Sequence, residues 1–193
     1  MKRTMLALLV PLLCYMQKGT AATTVVNDSL SKTSIFLKDR NIYYQKVFTS
    51  NLSKDELSDK VAVHLSTIPY YKHKNDSYFT EGDFIGYLSN NTFKINRPLT
   101  FFNVPTLLHY PMDAMVAIQV KDNRYRVTVS EMAFKVTKTD SIRTVTKRYP
   151  LEGEVTRKSG SEIKPSKQKI LDTMEQYFTN LFDLGKSAIA TDF

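Results

Sequence analysis

"KDNRYRVTVSEMAFKV" (residues 121–136) is the stretch that decides the fold, because it forms one arm of a hairpin whose register follows from the sequence. Asparagine tolerates the positive φ of a two-residue turn, so Asp122-Asn123 is the predicted turn. This turn places six apolar or aromatic residues on one face, in the facing pairs Val120/Tyr125, Ile118/Val127 and Val116/Val129. A shift by one residue would scatter these side chains over both faces, which makes the register specific.

The opposite face of this hairpin is polar and includes Arg126, Gln119, Thr128 and Ser130. An anion site normally collects several donors, often backbone amides at a helix start, and no glycine-rich turn or helix start is adjacent in the sequence. We therefore expect Arg124, in the turn, and Arg126, on the polar face, to be exposed residues without a dedicated anion site.

The apolar phase of the strand changes after Val129, where the apolar residues move to even positions: Met132, Phe134 and Val136. A strand keeps one phase unless an extra residue is inserted into it. The sequence therefore predicts a β-bulge near Ser130-Glu131.

A strand and a helix precede this hairpin. The segment "IYYQKVFT" (42–49) is rich in β-branched and aromatic residues, as strands are. Ser53 and Glu56 have the spacing of a capping box, which begins a helix. Apolar residues then recur at helical spacing until Pro69 ends the run: Leu57, Val61, Leu65 and Ile68.

A second hairpin is predicted within "DSYFTEGDFIGYLSNNTFKIN" (76–96). With Asn90-Asn91 as a two-residue turn, Leu88 faces Phe93 and Gly86 faces Ile95. The apolar side chains of both arms would then share one face of the sheet.

The chain ends in a helix with a wide apolar stripe. Ser166 is its predicted N-terminal cap, and Gly185 lies where a C-terminal cap belongs. The stripe is suited to covering a sheet and consists of Ile170, Leu171, Met174, Tyr177, Phe178, Leu181 and Phe182. The polar and basic residues 138–168 form either a ragged strand or a long connection.

These elements predict an α+β fold with a single antiparallel sheet of about five to seven strands. An N-terminal helix and a C-terminal amphipathic helix pack on the sheet, in the order strand, helix, several strands, helix. The predicted domain covers residues 41–184, after an N-terminal linker over residues 23–40 and before a C-terminal tail over residues 185–193.

The segments "IYYQKVF" leading into "SKDEL", and especially "KDNRYRVTV" (121–129), resemble an uncharacterised family of secreted bacterial domains described as having a TBP-like fold, after the TATA-binding protein. The similarity covers residues 41–137, and the final helix completes the fold. The resemblance implies this fold. Because the family has no established activity, the resemblance implies no catalytic or binding residue. The TATA-binding protein builds its saddle from two copies of the unit, and this chain has the length for one.

The first 22 residues have the pattern of a secretory signal peptide. Lys2 and Arg3 precede an apolar run from Met5 to Met16, too short to span a bilayer, and small residues follow up to Ala22. Cleavage there would lower the net charge from +8 to 8 − 3 = +5 and remove Cys14, the only cysteine, leaving no disulfide or thiolate metal site. The predicted location is periplasmic or extracellular, without a transmembrane span. The alternative is a lipid anchor at Cys14, although the residue before it is not small.

No catalytic, metal-binding or cofactor-binding pattern is recognisable. The chain has no glycine-rich phosphate loop and no GxSxG, HExxH or EF-hand motif. His64, His73 and His109 are far apart, and we interpret His64 as a structural or solvent-facing residue of the first helix. The basic C-terminal half is interpreted as a solvated sheet face. An anionic glycan or lipid surface is the alternative partner, and nucleic acid is not expected because the signal-peptide pattern predicts export.

The segment "RPLTFFNVPTLLHYPMD" (97–113) combines three prolines with large apolar residues. Prolines at this density exclude a regular helix or a central strand. One interpretation is that the segment covers one end of the core. The other is a flap over an apolar cavity between the sheet and the last helix, with a ligand rim made of Phe101, Phe102, Leu107, Leu108 and Tyr110.

Three functions follow from these patterns. The first is a secreted or envelope protein with a non-enzymatic binding or interaction role, whose partner would be an envelope protein or a glycan. The second is a carrier of an apolar small ligand held between the sheet and the C-terminal helix. The third is a hydrolase without a recognisable motif. A cavity beneath the last helix would favour the carrier, and a solid core with an exposed patch would favour the interaction domain.

Overall fold

The computed structural model describes residues 33–74, 82–93, 105–139 and 143–185. Seven strands in these residues form one sheet: β1 (Ile35–Lys38), β2 (Asn41–Thr49), β3 (Tyr71–His73), β4 (Asp83–Asn91), β5 (Met112–Lys121), β6 (Arg124–Thr139) and β7 (Thr144–Pro150). The helices are α1 (Lys54–Thr67), α2 (Leu151–Val155) and α3 (Gln168–Phe182), with 3-10 turns at Thr106–His109 and Pro165–Lys167. The predicted α+β architecture is therefore confirmed.

The strand order is β1-β2-β6-β5-β4-β3, and all pairs are antiparallel. The long strand β6 organises the sheet because it pairs with three others. Its first half pairs with β2, from Arg124 opposite Thr49 to Val129 opposite Tyr44, and its second half pairs with β7. Strand β5 pairs along both halves of β6.

The hairpin of β5 and β6 has the predicted register. Val120 pairs with Tyr125, Ile118 with Val127 and Val116 with Val129, and all six side chains are buried. The predicted bulge is also present. Met115 pairs with Ser130 and Asp113 with Ala133, so two residues of β6 oppose one of β5, and Glu131 has a φ of +52°. Because of this extra residue, the apolar side chains that follow it again point towards the core.

The predicted linker is wrong from Ile35 onwards. Residues 35–38 form β1, which pairs with β2 through a tight turn in which Asp39 and Arg40 have φ values of +50° and +65°. The side chain of Ile35 is 4% exposed. A four-residue strand among polar neighbours has no visible period, and pairing with β2 is what orders it.

The predicted hairpin around Asn90-Asn91 is wrong. Strand β4 continues to Asn91, and Leu88 pairs with Ala114 of β5 on one side and Tyr71 of β3 on the other. Both edges of β4 are therefore occupied, which leaves no edge for Phe93. Asn90 does have a positive φ of +56°, and it produces a shift of register there rather than a turn. Ile95 lies outside the described residues.

Helices α1 and α3 contribute their apolar sides to a core on one face of the sheet. The capping box of Ser53 and Glu56 is formed, and Leu57, Val61 and Leu65 are buried. The buried stripe of α3 consists of Ile170, Leu171, Met174, Phe178 and Phe182, while the predicted members Tyr177 and Leu181 are half-buried. No helix in the described part of the chain is both long and apolar enough to cross a membrane.

The predicted caps of α3 are wrong at both ends. The N-cap is Lys167, which follows the 3-10 turn, and its side chain makes no capping hydrogen bond. The helix ends at Phe182, and the next residue, Asp183, has an extended backbone conformation. Gly185 does not have the positive φ of a C-terminal cap. A hydrogen bond from β6 takes the place of a local cap there.

Residues 138–168 combine the two predicted alternatives. Their first part completes β6 and forms the edge strand β7, whose residue Thr144 pairs with Thr139. Their second part is the short helix α2, followed by a loop closed by a bridge between Thr156 and Ile163. Strand β7 extends the sheet by pairing with β6, and α2 follows β7 directly in the chain.

Candidate binding cleft

The space between the sheet and α3 is packed with aromatic side chains. The ring of Phe178 lies 5.2 Å from that of Tyr44, 6.4 Å from that of Phe182 and 6.2 Å from that of Phe93. Phe178, Phe182 and Tyr44 are at most 1% exposed. These aromatic side chains are therefore buried and pack against one another between the sheet and α3.

A cleft of about 510 Å³ lies at one end of this core, and we call it the lysine cleft. It is bounded by five elements: the 3-10 turn at Thr106–His109, the second half of β6, β7, α2 and the start of α3. Its lining residues are Pro105, Thr106, Leu107, Tyr110, Val136, Lys138, Tyr149, Glu154, Ser166, Lys167, Lys169 and Ile170. Apolar walls and a few charged groups therefore meet in one concave surface.

The predicted ligand rim falls only partly on this cleft. Leu107 and Tyr110 line it and are half-buried, whereas Leu108 is 2% exposed and belongs to the core. Phe101 and Phe102 lie outside the described residues. Within residues 105–110, Leu108 therefore covers the core, whereas Leu107 and Tyr110 form part of the cleft wall.

Sequence reasoning missed the lysines of the cleft. Lys138 comes from β6, Lys167 from the N-cap of α3 and Lys169 from its first turn. The three are spread over 32 positions of the chain, and only the basic run "KPSKQK" (164–169) could have indicated them. The sequence shows the positive charge at the start of α3, but it does not show which residues lie next to that charge in space.

The lysine cleft carries an excess of positive charge. Its three lysines face one acidic residue, Glu154, and none of the three makes an ion pair with another described residue. Helix α3 begins beside them with no acidic residue in its first turn. The positive end of its dipole adds to the potential of the lysines instead of being offset by a carboxylate.

The two arginines of the β5–β6 hairpin lie at the opposite end of β6. Both are exposed, as predicted, and Arg126 donates a hydrogen bond to the Oε1 atom of Gln119 on the neighbouring strand. They border a smaller surface cleft of about 230 Å³ together with Lys121. Whether they bind an anion stays a prediction for experiment.

The histidines have structural positions. The Nε2 atom of His64 lies 2.8 Å from the carbonyl oxygen of Leu181, which ties α1 to α3. The ring of His73 packs edge-on against Phe84 at 6.4 Å, and His109 closes the 3-10 turn. Within the described ranges no three histidine, cysteine or acidic residues come together in a group that could hold a metal ion.

The shifted pKa values belong mainly to tyrosines that contact the core. Burial raises the pKa of Tyr71 and of Tyr125 to about 12, and it also raises the pKa of Tyr44 and of Tyr177. The pKa of the Glu56 carboxyl is lowered by its hydrogen bonds from Ser53 in the capping box. Because their pKa values are raised, the hydroxyl groups of these tyrosines stay protonated at neutral pH and can donate hydrogen bonds within the protein.

The chain is similar to solved structures at low sequence identity. The chain is similar to a TBP-like protein from Parabacteroides distasonis, with a TM-score of 0.51 and 16% identity over 80% of this chain and 97% of that chain. It is also similar to a DUF4468 family protein from Bacteroides ovatus, with a TM-score of 0.48 and 11% identity over 82% of this chain and 91% of that one. No protein-family model and no curated protein matches the sequence. The likeness to the Parabacteroides distasonis protein shows that the fold is TBP-like.

Proposed function

We propose that this chain is an exported, non-enzymatic binding domain whose ligand site is the lysine cleft. The observation that carries the proposal is the contrast between the filled interior of the core and the open lysine cleft beside it. The interior between the sheet and α3 is filled by Tyr44, Phe178 and Phe182, whereas the cleft beside it joins apolar walls to three lysines without ion-pair partners in the described residues. A ligand would therefore bind at the end of the core and not within it.

Export is supported by the sequence of residues 1–22, with its basic start, short apolar run and small residues up to Ala22. A periplasmic or extracellular location follows from it, and a lipid anchor at Cys14 is the alternative. A binding role outside the cytoplasm also fits a mature chain without cysteine, since that chain needs neither a disulfide nor a reducing environment.

The non-enzymatic assignment is supported by where the titratable groups lie. The tyrosines with raised pKa values face the core, and the hydroxyl of Tyr125 is held by the backbone at the end of α3. His64 is held by the backbone of Leu181. A hydrolase would instead bring a nucleophile and a base together in one cleft.

The carrier function in its original form, with an apolar ligand between the sheet and α3, is less well supported. The rings of Phe93 and Phe178 already fill that space and contact each other at 6.2 Å. A ligand there would have to displace close-packed side chains, which costs several kcal/mol.

Native mass spectrometry of the protein purified from its own host tests the proposal. We expect the chain to lack its first 22 residues and to retain a bound mass. Leu107→Glu, which puts a negative charge on the cleft wall, should abolish the bound mass, while Val63→Glu on the exposed side of α1 should keep it. A bound mass that survives Leu107→Glu would place the ligand elsewhere, and an uncleaved chain would contradict export.

A further inference from the structure

Resting on the proposed binding function, we infer that the lysine cleft takes a small amphipathic anion, with an apolar body that ends in a carboxylate. Its volume of about 510 Å³ lies within the ~300–1,000 Å³ that small-molecule sites occupy. The cleft is concave and is built from five elements, which favours a small ligand over the flat surface of a partner protein.

The walls of the cleft suit the apolar body. Leu107, Val136 and Ile170 come from three different elements and present aliphatic side chains, and the rings of Tyr110 and Tyr149 add aromatic surface. The wall positions of Leu107, Val136, Tyr110 and Tyr149 are half-buried, so each keeps apolar area that a ligand can cover. Covering such area is favourable because it removes apolar surface from water.

The charge of the cleft suits a carboxylate. Lys138 lines the cleft from β6, while Lys167 and Lys169 line it from the start of α3, so positive charge is contributed by two elements. Glu154 is the acidic residue among the lining side chains. A carboxylate bound in the cleft would accept charge-assisted hydrogen bonds from lysine side chains, which are stronger than those between neutral groups.

An ammonium or a neutral head group would gain less from this site. A cation would be repelled by three lysines against one glutamate, and an alcohol would accept weaker hydrogen bonds from them. Among ligands of equal chain length, the cleft should therefore discriminate by the charge of the head group.

Isothermal titration calorimetry with three probes of equal chain length tests this inference: dodecanoate, dodecanol and dodecyltrimethylammonium, each below its micelle concentration. We expect dodecanoate to bind about tenfold or more tightly than either of the others, and added sodium chloride to weaken it. The double variant Lys167→Gln/Lys169→Gln should lose about tenfold in dodecanoate affinity. An unchanged unfolding midpoint shows that this variant is folded.

The double variant Arg124→Gln/Arg126→Gln is the matched control. It also removes two positive charges, but from the start of β6, away from the lysine cleft. It should bind dodecanoate as the unaltered protein does. Equal loss in both variants would mean a diffuse effect of net charge and would overturn the inference.

The other outcomes separate this inference from the proposed function. Equal binding of all three probes would overturn the anionic ligand and leave the cleft as an apolar binding site. Binding of none of them would overturn the inference. If native mass spectrometry then also found a partner protein sensitive to Leu107→Glu, the proposed binding function would stand with a different ligand.

Discussion

The hydroxyl group of Tyr125 donates a hydrogen bond of 2.7 Å to the carbonyl oxygen of Phe182 and thereby closes the C-terminal end of α3. The hydroxyl oxygen of Tyr125 in turn accepts a hydrogen bond of 3.1 Å from the backbone N–H of Leu184. Tyr125 is the second residue of β6, directly after the turn that fixes the β5–β6 register. The hairpin therefore determines where the last helix ends, and glycine at the helix end has no part in it.

Replacing Tyr125 by phenylalanine should destabilise the protein by about 1–3 kcal/mol, because a buried carbonyl oxygen and a buried N–H would lose their partner. Tyr71→Phe is the matched control. Its hydroxyl is buried and has no hydrogen-bond partner among the described residues, so its removal should leave the free energy of unfolding unchanged or raise it. Urea unfolding of both variants measures the difference, and equal midpoints would contradict the role of the Tyr125 hydrogen bonds.

Stability should fall in alkaline solution, from about pH 10 upwards. The pKa values of Tyr71 and Tyr125 are raised to about 12 in the folded chain by burial, whereas tyrosine in the unfolded chain titrates near pH 10. The stabilising contribution of a group with a raised pKa is complete below its unfolded pKa and is lost as the pH rises through the folded value.

Unfolding midpoints recorded between pH 8 and pH 12 test this pH dependence, and phenolate absorbance reports the titration of the tyrosines. The loss of stability with rising pH should be smaller in Tyr125→Phe, because one of the shifted groups is gone. A stability that is constant up to pH 12 would show that these phenols titrate normally in the folded protein.

Gly86 has no room for a side chain. A Cβ atom at this position would collide with the ring of Tyr71 and would lie 2.6 Å from the carbonyl oxygen of Lys72 on the neighbouring strand. Gly86→Ala should therefore destabilise the protein by about 1–3 kcal/mol. Gly153→Ala in α2 is the control, since no described atom beyond its chain neighbours and its own helix backbone lies within 4 Å of its Cβ position, and alanine favours the helix by about 0.5–1 kcal/mol. Thermal unfolding should move in opposite directions for the two variants.

Phe178→Ala should cost about 3–5 kcal/mol, because this ring is fully buried and contacts Tyr44, Phe93 and Phe182. Val63→Ala on the exposed side of α1, where the valine is 66% exposed, should change stability by about 0.5 kcal/mol at most. Chemical unfolding distinguishes the two. A midpoint unaffected by Phe178→Ala would mean that α3 is not part of the cooperative core.

Arg124→Ala/Arg126→Ala should leave both stability and anion binding nearly unchanged. The side chains are exposed, and such substitutions change the free energy of unfolding by about 0.5 kcal/mol or less for each site. Titration against anionic polysaccharide, anionic vesicles and nucleic acid checks the binding. If the unaltered protein bound one of them at physiological salt and the variant did not, this end of the sheet would be a functional anion site.

The sequence by itself determined the features that depend on neighbouring residues. The register of β5 against β6 and the bulge at Glu131 follow from side chains that alternate with a period of two. The capping box of Ser53 and Glu56 spans a single helical turn. The apolar stripe of α3 follows from helical spacing, and its buried members were all foreseen.

Only the tertiary structure decided the features made by residues distant in the chain. Strand β1 is ordered by pairing with β2, and β4 continues past Asn90 because β3 and β5 occupy both of its edges. The end of α3 is set by Tyr125, 57 positions away from Phe182. The lysine cleft joins residues 105–110 to residues 136–138 and 166–170. A local pattern records which face of an element is apolar, but the free energy that selects its neighbour comes from packing and hydrogen bonds that exist only once the sheet has assembled.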